Sequence, residues 1–88
     1  MSKFIVNVGY NNSVARMRMI AVIAAEPSPT KRLREEAKQA GKLIDATNGR
    51  KTRSVIVMDS NHVVLSALEP ATLAERMEGD GQAPAKNP

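Results

Sequence analysis

Arg50, Lys51 and Arg53 crowd into four positions directly behind Asn48-Gly49, in the stretch ATNGRKTR (46–53). Cations set this close hold phosphates or carboxylates through charge-assisted hydrogen bonds. Asn-Gly between two extended runs signals a tight hairpin, because both central residues accept positive φ. A type I′ turn there pairs Thr47 with Arg50 and Ala46 with Lys51. Alternation then sends Arg50 and Lys51 to opposite faces of a ribbon, with Arg53 on the Lys51 side. A narrow ribbon carrying cations on both faces fits a duplex groove, touching phosphates on both walls or setting an arginine against guanine. The plain alternative is a solvated hairpin whose charges prevent edge-to-edge aggregation.

Two other clusters carry chemical side chains. Arg16 and Arg18 stand beside a polar loop, Tyr10 to Ser13, and form either a phosphate-contacting patch or the solvated end of a strand. Asp59, Ser60 and His62 fall within four residues, but neighbours in a tight turn do not reach the geometry of a catalytic triad. Asp and Asn are also turn formers through their own backbone hydrogen bonds, so 59–62 reads as a turn. GRKT lacks the upstream glycine and spacing of a phosphate loop. With one His and no Cys the chain has no metal set, and no pattern calls for a cofactor, a small-molecule ligand or an enzyme. Phe4 and Tyr10 are the whole aromatic complement, too few for a base-stacking platform on single strands. A double-stranded ligand held through its backbone fits better.

The elements that must position these residues follow from periodicity. KFIVNV (3–8) alternates as a strand, GYNN (9–12) is a turn, and 13–19 is either a helical turn or a loop feeding the next strand. MIAVIAA (19–25) reads as a buried strand. EPSPTKRLREEAKQAG (26–41) reads as a helix capped by Ser28, with Pro29 at its first position and Gly41 ending it. Leu33, Ala37 and Ala40 form its apolar stripe. Lys31, Arg34 and Lys38 share another face, which with Arg32 adds to the basic field or is simply solvated. KLIDAT (42–47), RKTRSVIVMD (50–59) and HVVLSAL (62–68) read as three further strands, and EPATLAERM (69–77) as a short C-terminal helix. Residues 1–77 thus form one domain, and 78–88 read as a disordered tail.

Eighty-eight residues bury only a thin core, and without disulfides or metal self-association is the favoured remedy. The absence of Cys, of a signal-peptide core and of a membrane span fits a soluble cytoplasmic protein. Residues 1–53 hold eleven Lys or Arg against four acids, a balance of +7, whereas 54–88 hold two against five, a balance of −3. A basic front and an acidic back suit a polyanion that approaches from one side.

The stretch DATNGRKTRSVIVMDSNHVVLSAL (45–68), with KFIVNVG before it and RMIAVIAAEPSPTKRLREEA between, strongly resembles the bacterial extracellular-matrix regulatory proteins of the RemA type. The likeness spans residues 3–77. It implies a DNA-binding transcriptional regulator, an activator of biofilm-matrix genes, built as a ring-shaped homo-oligomer that carries DNA on a basic surface. It also implies DNA contacts at Arg18, Arg50 and, by position, Lys51. The last departs from the Arg-Arg tip of one member of that family, whose pattern at this position takes Arg or Lys, and lysine keeps the charge but loses the planar fork.

These readings converge on an α+β fold: a small mixed or antiparallel sheet with one covering helix and a short C-terminal helix, assembled as a ring. Duplex DNA and further copies of the chain are the expected partners. Arg16, Arg18, Arg50, Lys51 and Arg53 are the expected DNA-binding residues. A ring-forming scaffold, or an RNA-binding protein without promoter-specific DNA binding, is the alternative.

Overall fold

Val55 and Ile56 adjoin in sequence and face opposite sides of one sheet, and a core forms on each side. The computed structural model describes residues 4–26 and 28–78. Along it run β1 (Ile5–Gly9), β2 (Asn12–Ala15), a 3-10 turn (Arg16–Arg18), β3 (Met19–Ala24), α1 (Ser28–Gln39), β4 (Leu43–Asp45), β5 (Ser54–Met58), β6 (Val63–Ser66) and α2 (Pro70–Glu78). The fold is α+β and its larger sheet is mixed, as the sequence suggests. The order is β3-β5-β6-β4, antiparallel except for the parallel pair β4–β6.

Alternation along the central strands builds the two cores. On one side Val55, Val63 and Leu65 meet Ala37 and the half-buried Leu33 of α1, with Leu43 at the margin. On the other, Ile56 and Val64 meet Val6 and Val8 of β1, Leu73 of α2 and Ala46. Each fully buried Val, Leu or Ile contributes about 1.5–3 kcal/mol relative to exposure. Helix α1 stops at Gly41, whose φ of 73° favours glycine. There Gly41 N–H donates to Lys38 O (3.1 Å) and Lys42 N–H to Ala37 O (2.8 Å), the paired bonds of a Schellman stop. Ala40 lies past the helix end and is exposed, so it does not extend the buried stripe. The cap expected of Ser28 rests on a side chain outside the described residues, and residues 79–88 of the expected tail lie outside them too; Glu78, expected in that tail, instead closes α2.

The chain departs from expectation most at its hairpins. Strand β4 does not pair with β5. It lies at the far edge, parallel to β6, because β5 already has β3 and β6 on its two sides. The segment 46–53 is therefore a bridge across the end of β6: Ala46 N–H donates to Leu65 O at 2.9 Å and Arg53 N–H to Ser66 O at 2.8 Å. The strand expected at 50–59 is confined to Ser54–Met58. The tight two-residue hairpin occurs instead at Tyr10-Asn11, both at positive φ, joining β1 and β2 into a separate sheet. Asn12 Nδ2 donates back to Gly9 O and Tyr10 O, closing that turn. Residues 13–19 resolve into the rest of β2, the 3-10 turn and the first residue of β3.

Strands β3 and β4 leave the larger sheet with two open edges, and large apolar side chains stand exposed in these strands and on the 3-10 turn before β3. Met17 is 84% exposed, Ile20 64% and Ile44 47%.

Candidate nucleic-acid interface

Asp45, Thr47 and the 48–49 turn shape the basic tip. Thr47 is buried, and both its amide and its hydroxyl donate to Asp45 Oδ1, at 2.9 and 2.6 Å. These bonds, the side-chain one foremost, hold the Asp45 carboxyl below its ordinary value, against a smaller opposing effect of burial. Thr47 O then accepts the Arg50 amide at 3.0 Å across Asn48 (φ 55°) and Gly49 (φ 79°). The turn conformation expected at Asn48-Gly49 is present, but as the apex of a bridge and not of a ribbon. Arg50 and Lys51 consequently do not alternate across a two-stranded ladder, and Ala46 does not pair with Lys51. Asp45-x-Thr47 has the spacing at which a carboxylate captures the amide two residues on, a signal available in the sequence but passed over there.

Arg50 and Lys51 are exposed. Lys51 Nζ lies 3.9 Å from Glu26 Oε2, and Arg53 NH1 lies 3.5 Å from Glu69 Oε2. Arg53 extends the central ladder, its amide bonded to β6 and its carbonyl accepting Ala25 N–H at 3.0 Å. Of Arg18, Arg50, Lys51 and Arg53, Arg50 is the one with no carboxylate partner among the described residues.

Arg16 and Arg18 sit on the 3-10 turn at the opposite end of the sheet, since β3 and β5 are antiparallel and Met19 pairs with Met58. Arg53 and Asp59, six residues apart on one extended chain, are separated by about 20 Å. One subunit therefore does not bring Arg18 together with Arg50 and Lys51. Arg18 Nε donates to Asp59 Oδ1 at 3.1 Å, while Asp59 N–H donates to Arg18 O at 2.8 Å. Asp59 thus turns to Arg18, and His62 Nδ1 pairs with Ser60 Oγ at 2.7 Å, so 59–62 is the turn between β5 and β6.

Glu26, Asp59 and Glu69 escaped the sequence reading because each is remote in sequence from the cation it meets. Asp59 and Glu69 also temper the front-to-back charge division, since these acids from 54–88 fold against cations from 1–53. On α1, Lys31, Arg34 and Lys38 line a shallow groove of about 250 Å³ floored by Leu43 and Leu65. Among the described residues no group of three or more His, Cys, Asp or Glu is placed to hold a metal, and no helix is long and apolar enough to cross a membrane.

A family model described as RemA-like, extracellular matrix regulatory protein A-like, matches residues 5–77. A protein of Thermotoga petrophila named "Putative regulatory protein" is 57% identical over 72 residues, covering 82% of this chain and 78% of that protein. A Thermotoga maritima protein of the same name matches to the same extent. One from Desulfatibacillum aliphaticivorans is 57% identical over 70 residues, covering 80% and 79% of the two chains.

Proposed function

The chain belongs to the RemA-like family, and from that premise we propose that it is a transcriptional regulator that binds duplex DNA and activates extracellular-matrix genes. The observation that carries the DNA reading is Arg50. It is exposed on a turn fixed by Asp45 and Thr47, with no carboxylate competing for its guanidinium among the described residues. Arg18 and Lys51 supply further phosphate contacts, supported by Arg16 and Arg53. The ion pairs of Lys51 and Arg53 are solvent-exposed, so each is a weak bond that a phosphate exchanges readily.

So few cations bind DNA weakly at physiological salt. The reading therefore includes a ring-shaped homo-oligomer, in which repeated patches make later contacts intramolecular and raise avidity. Two dissimilar open sheet edges and the exposed Met17, Ile20 and Ile44 support self-association. Contacts between unlike surfaces close into rings when the rotation allows. A duplex bent over such a surface is selected by its deformability more than by base contacts. The separation of Arg18 from Arg50 means that each subunit meets the duplex at two places, or that neighbouring subunits complete one contact zone.

A gel shift with duplex DNA, challenged by structured RNA, tests this. Retention of the duplex against excess RNA is expected. Absence of any shift favours the scaffold alternative, and equal competition by RNA overturns duplex selectivity.

A further inference from the structure

We propose that Asp59 positions Arg18 for phosphate contact, taking the guanidinium Nε–H so that the two terminal amino groups face the DNA backbone. This rests on the reading above that Arg18 meets duplex DNA.

Which nitrogen each carboxylate engages separates Asp59 from Glu26 and Glu69; on α1, Glu36 takes Arg32 Nε in the same way at 3.3 Å, but one helical turn away and without the backbone bond that ties Asp59 to Arg18. Glu26 approaches Lys51 at Nζ, and Glu69 approaches Arg53 at the terminal NH1. Those carboxylates lie 3.9 and 3.5 Å from the very nitrogens a phosphate needs, and therefore compete with it. Asp59 takes Nε alone. An arginine has five N–H donors, and this arrangement leaves the four on the terminal nitrogens. Among the described residues the Arg18 guanidinium has no second partner, and its side chain is 65% exposed.

The platform under Asp59 is anchored. Its own amide donates to Arg18 O at 2.8 Å, so the two residues hold each other through backbone and side chain. The turn that follows is closed by Asn61 N–H to Met58 O (3.0 Å) and Met58 N–H to His62 O (2.9 Å). Ser60 Oγ meets His62 Nδ1, and Lys42 Nζ donates to Ser60 O at 3.3 Å. An arginine otherwise loses much rotamer freedom when it binds. Holding it beforehand saves part of that cost, equivalent to about three- to tenfold in affinity.

The sign of the effect makes the proposal testable. Removing an acid beside a DNA-binding surface ordinarily tightens binding, because a repulsive charge is lost. Here Asp59→Ala, which removes the acceptor together with the charge, weakens it. The experiment measures anisotropy of a labelled mixed-sequence duplex with the parent chain, Asp59→Ala, Arg18→Ala, Arg18→Lys and Glu26→Gln, at one salt concentration. Circular dichroism and light scattering on each variant report fold and assembly. The expected result is a three- to tenfold loss for Asp59→Ala and a gain for Glu26→Gln. Arg18→Lys, which keeps the charge but lacks Nε–H, loses at least as much as Asp59→Ala, and adding Asp59→Ala to it causes no further loss. If Asp59→Ala does not fold, Arg18→Lys decides the matter: binding equal to the parent overturns the proposal. A folded Asp59→Ala that binds as tightly as the parent, or tighter, overturns it while Arg18→Ala still weakens binding. If Arg18→Ala binds like the parent, the assignment of Arg18 to the DNA surface fails and the proposal falls with it.

Discussion

The hydroxyl and the amide of Thr47 both donate to one oxygen of Asp45, at 2.6 and 2.9 Å. This clamp fixes the chain just before it turns through Asn48-Gly49, and so fixes where Arg50 emerges. The Asp45 carboxyl is held below its ordinary value in the folded protein. Its contribution to stability is therefore present above the unfolded carboxylate pKa of about 3.9 and is lost as pH falls through the folded value. Asp45→Asn is expected to lower the urea midpoint at pH 7, with the gap from the parent narrowing steadily below about pH 4. A gap independent of pH contradicts the clamp. Thr47→Val, which removes one buried hydroxyl, is expected to cost about 1 kcal/mol.

Lys51 stands at a position where the family resemblance allows Lys or Arg. Its ammonium retains charge without a planar fork. Lys51→Ala is expected to weaken duplex binding less than Arg50→Ala, and Lys51→Arg to tighten it several-fold. Anisotropy titrations at matched salt measure both. Lys51→Arg binding more weakly than the parent rules out a phosphate at this position.

The open edges make a prediction about assembly. Ile20→Glu and Ile44→Glu place charge on exposed apolar positions outside the buried clusters. Each is expected to leave the fold intact and to reduce the oligomer, as read by light scattering, with a loss of DNA affinity far beyond one contact. A monomeric parent at micromolar concentration contradicts the ring, and a monomeric variant with full affinity contradicts avidity.

Leu73 is 0% exposed and joins α2 to the core beneath β1. Leu73→Ala is expected to cost about 2–5 kcal/mol in denaturant unfolding. A cost below about 1 kcal/mol places α2 outside the cooperative fold.

Local signals carried much of the fold. Alternation marked β1, Gly41 marked the end of α1, and the Leu33–Ala37 stripe faced the sheet, but 19–25, expected as a buried strand, forms the half-exposed edge strand β3. Pairing was not local. Asn48-Gly49 has the φ values of a hairpin turn, yet the chain uses them to cross the end of β6. Only the competition of β3 and β6 for the two sides of β5 decides that. At the candidate site the cations were legible as a charge cluster. Their partners were not, because Arg18 and Asp59 stand forty-one residues apart and meet through the antiparallel β3–β5 pair.

Arg50 is the residue on which DNA binding depends most, and the most direct measurement is duplex DNA binding by the parent and by Arg50→Ala, with assembly followed by light scattering on the same samples. The prediction is a salt-sensitive complex for the parent, and for Arg50→Ala an intact oligomer that no longer shifts DNA and gives a shallower salt dependence in whatever binding persists. An Arg50→Ala oligomer that binds duplex DNA as tightly as the parent contradicts the claim that this tip is the DNA-binding site.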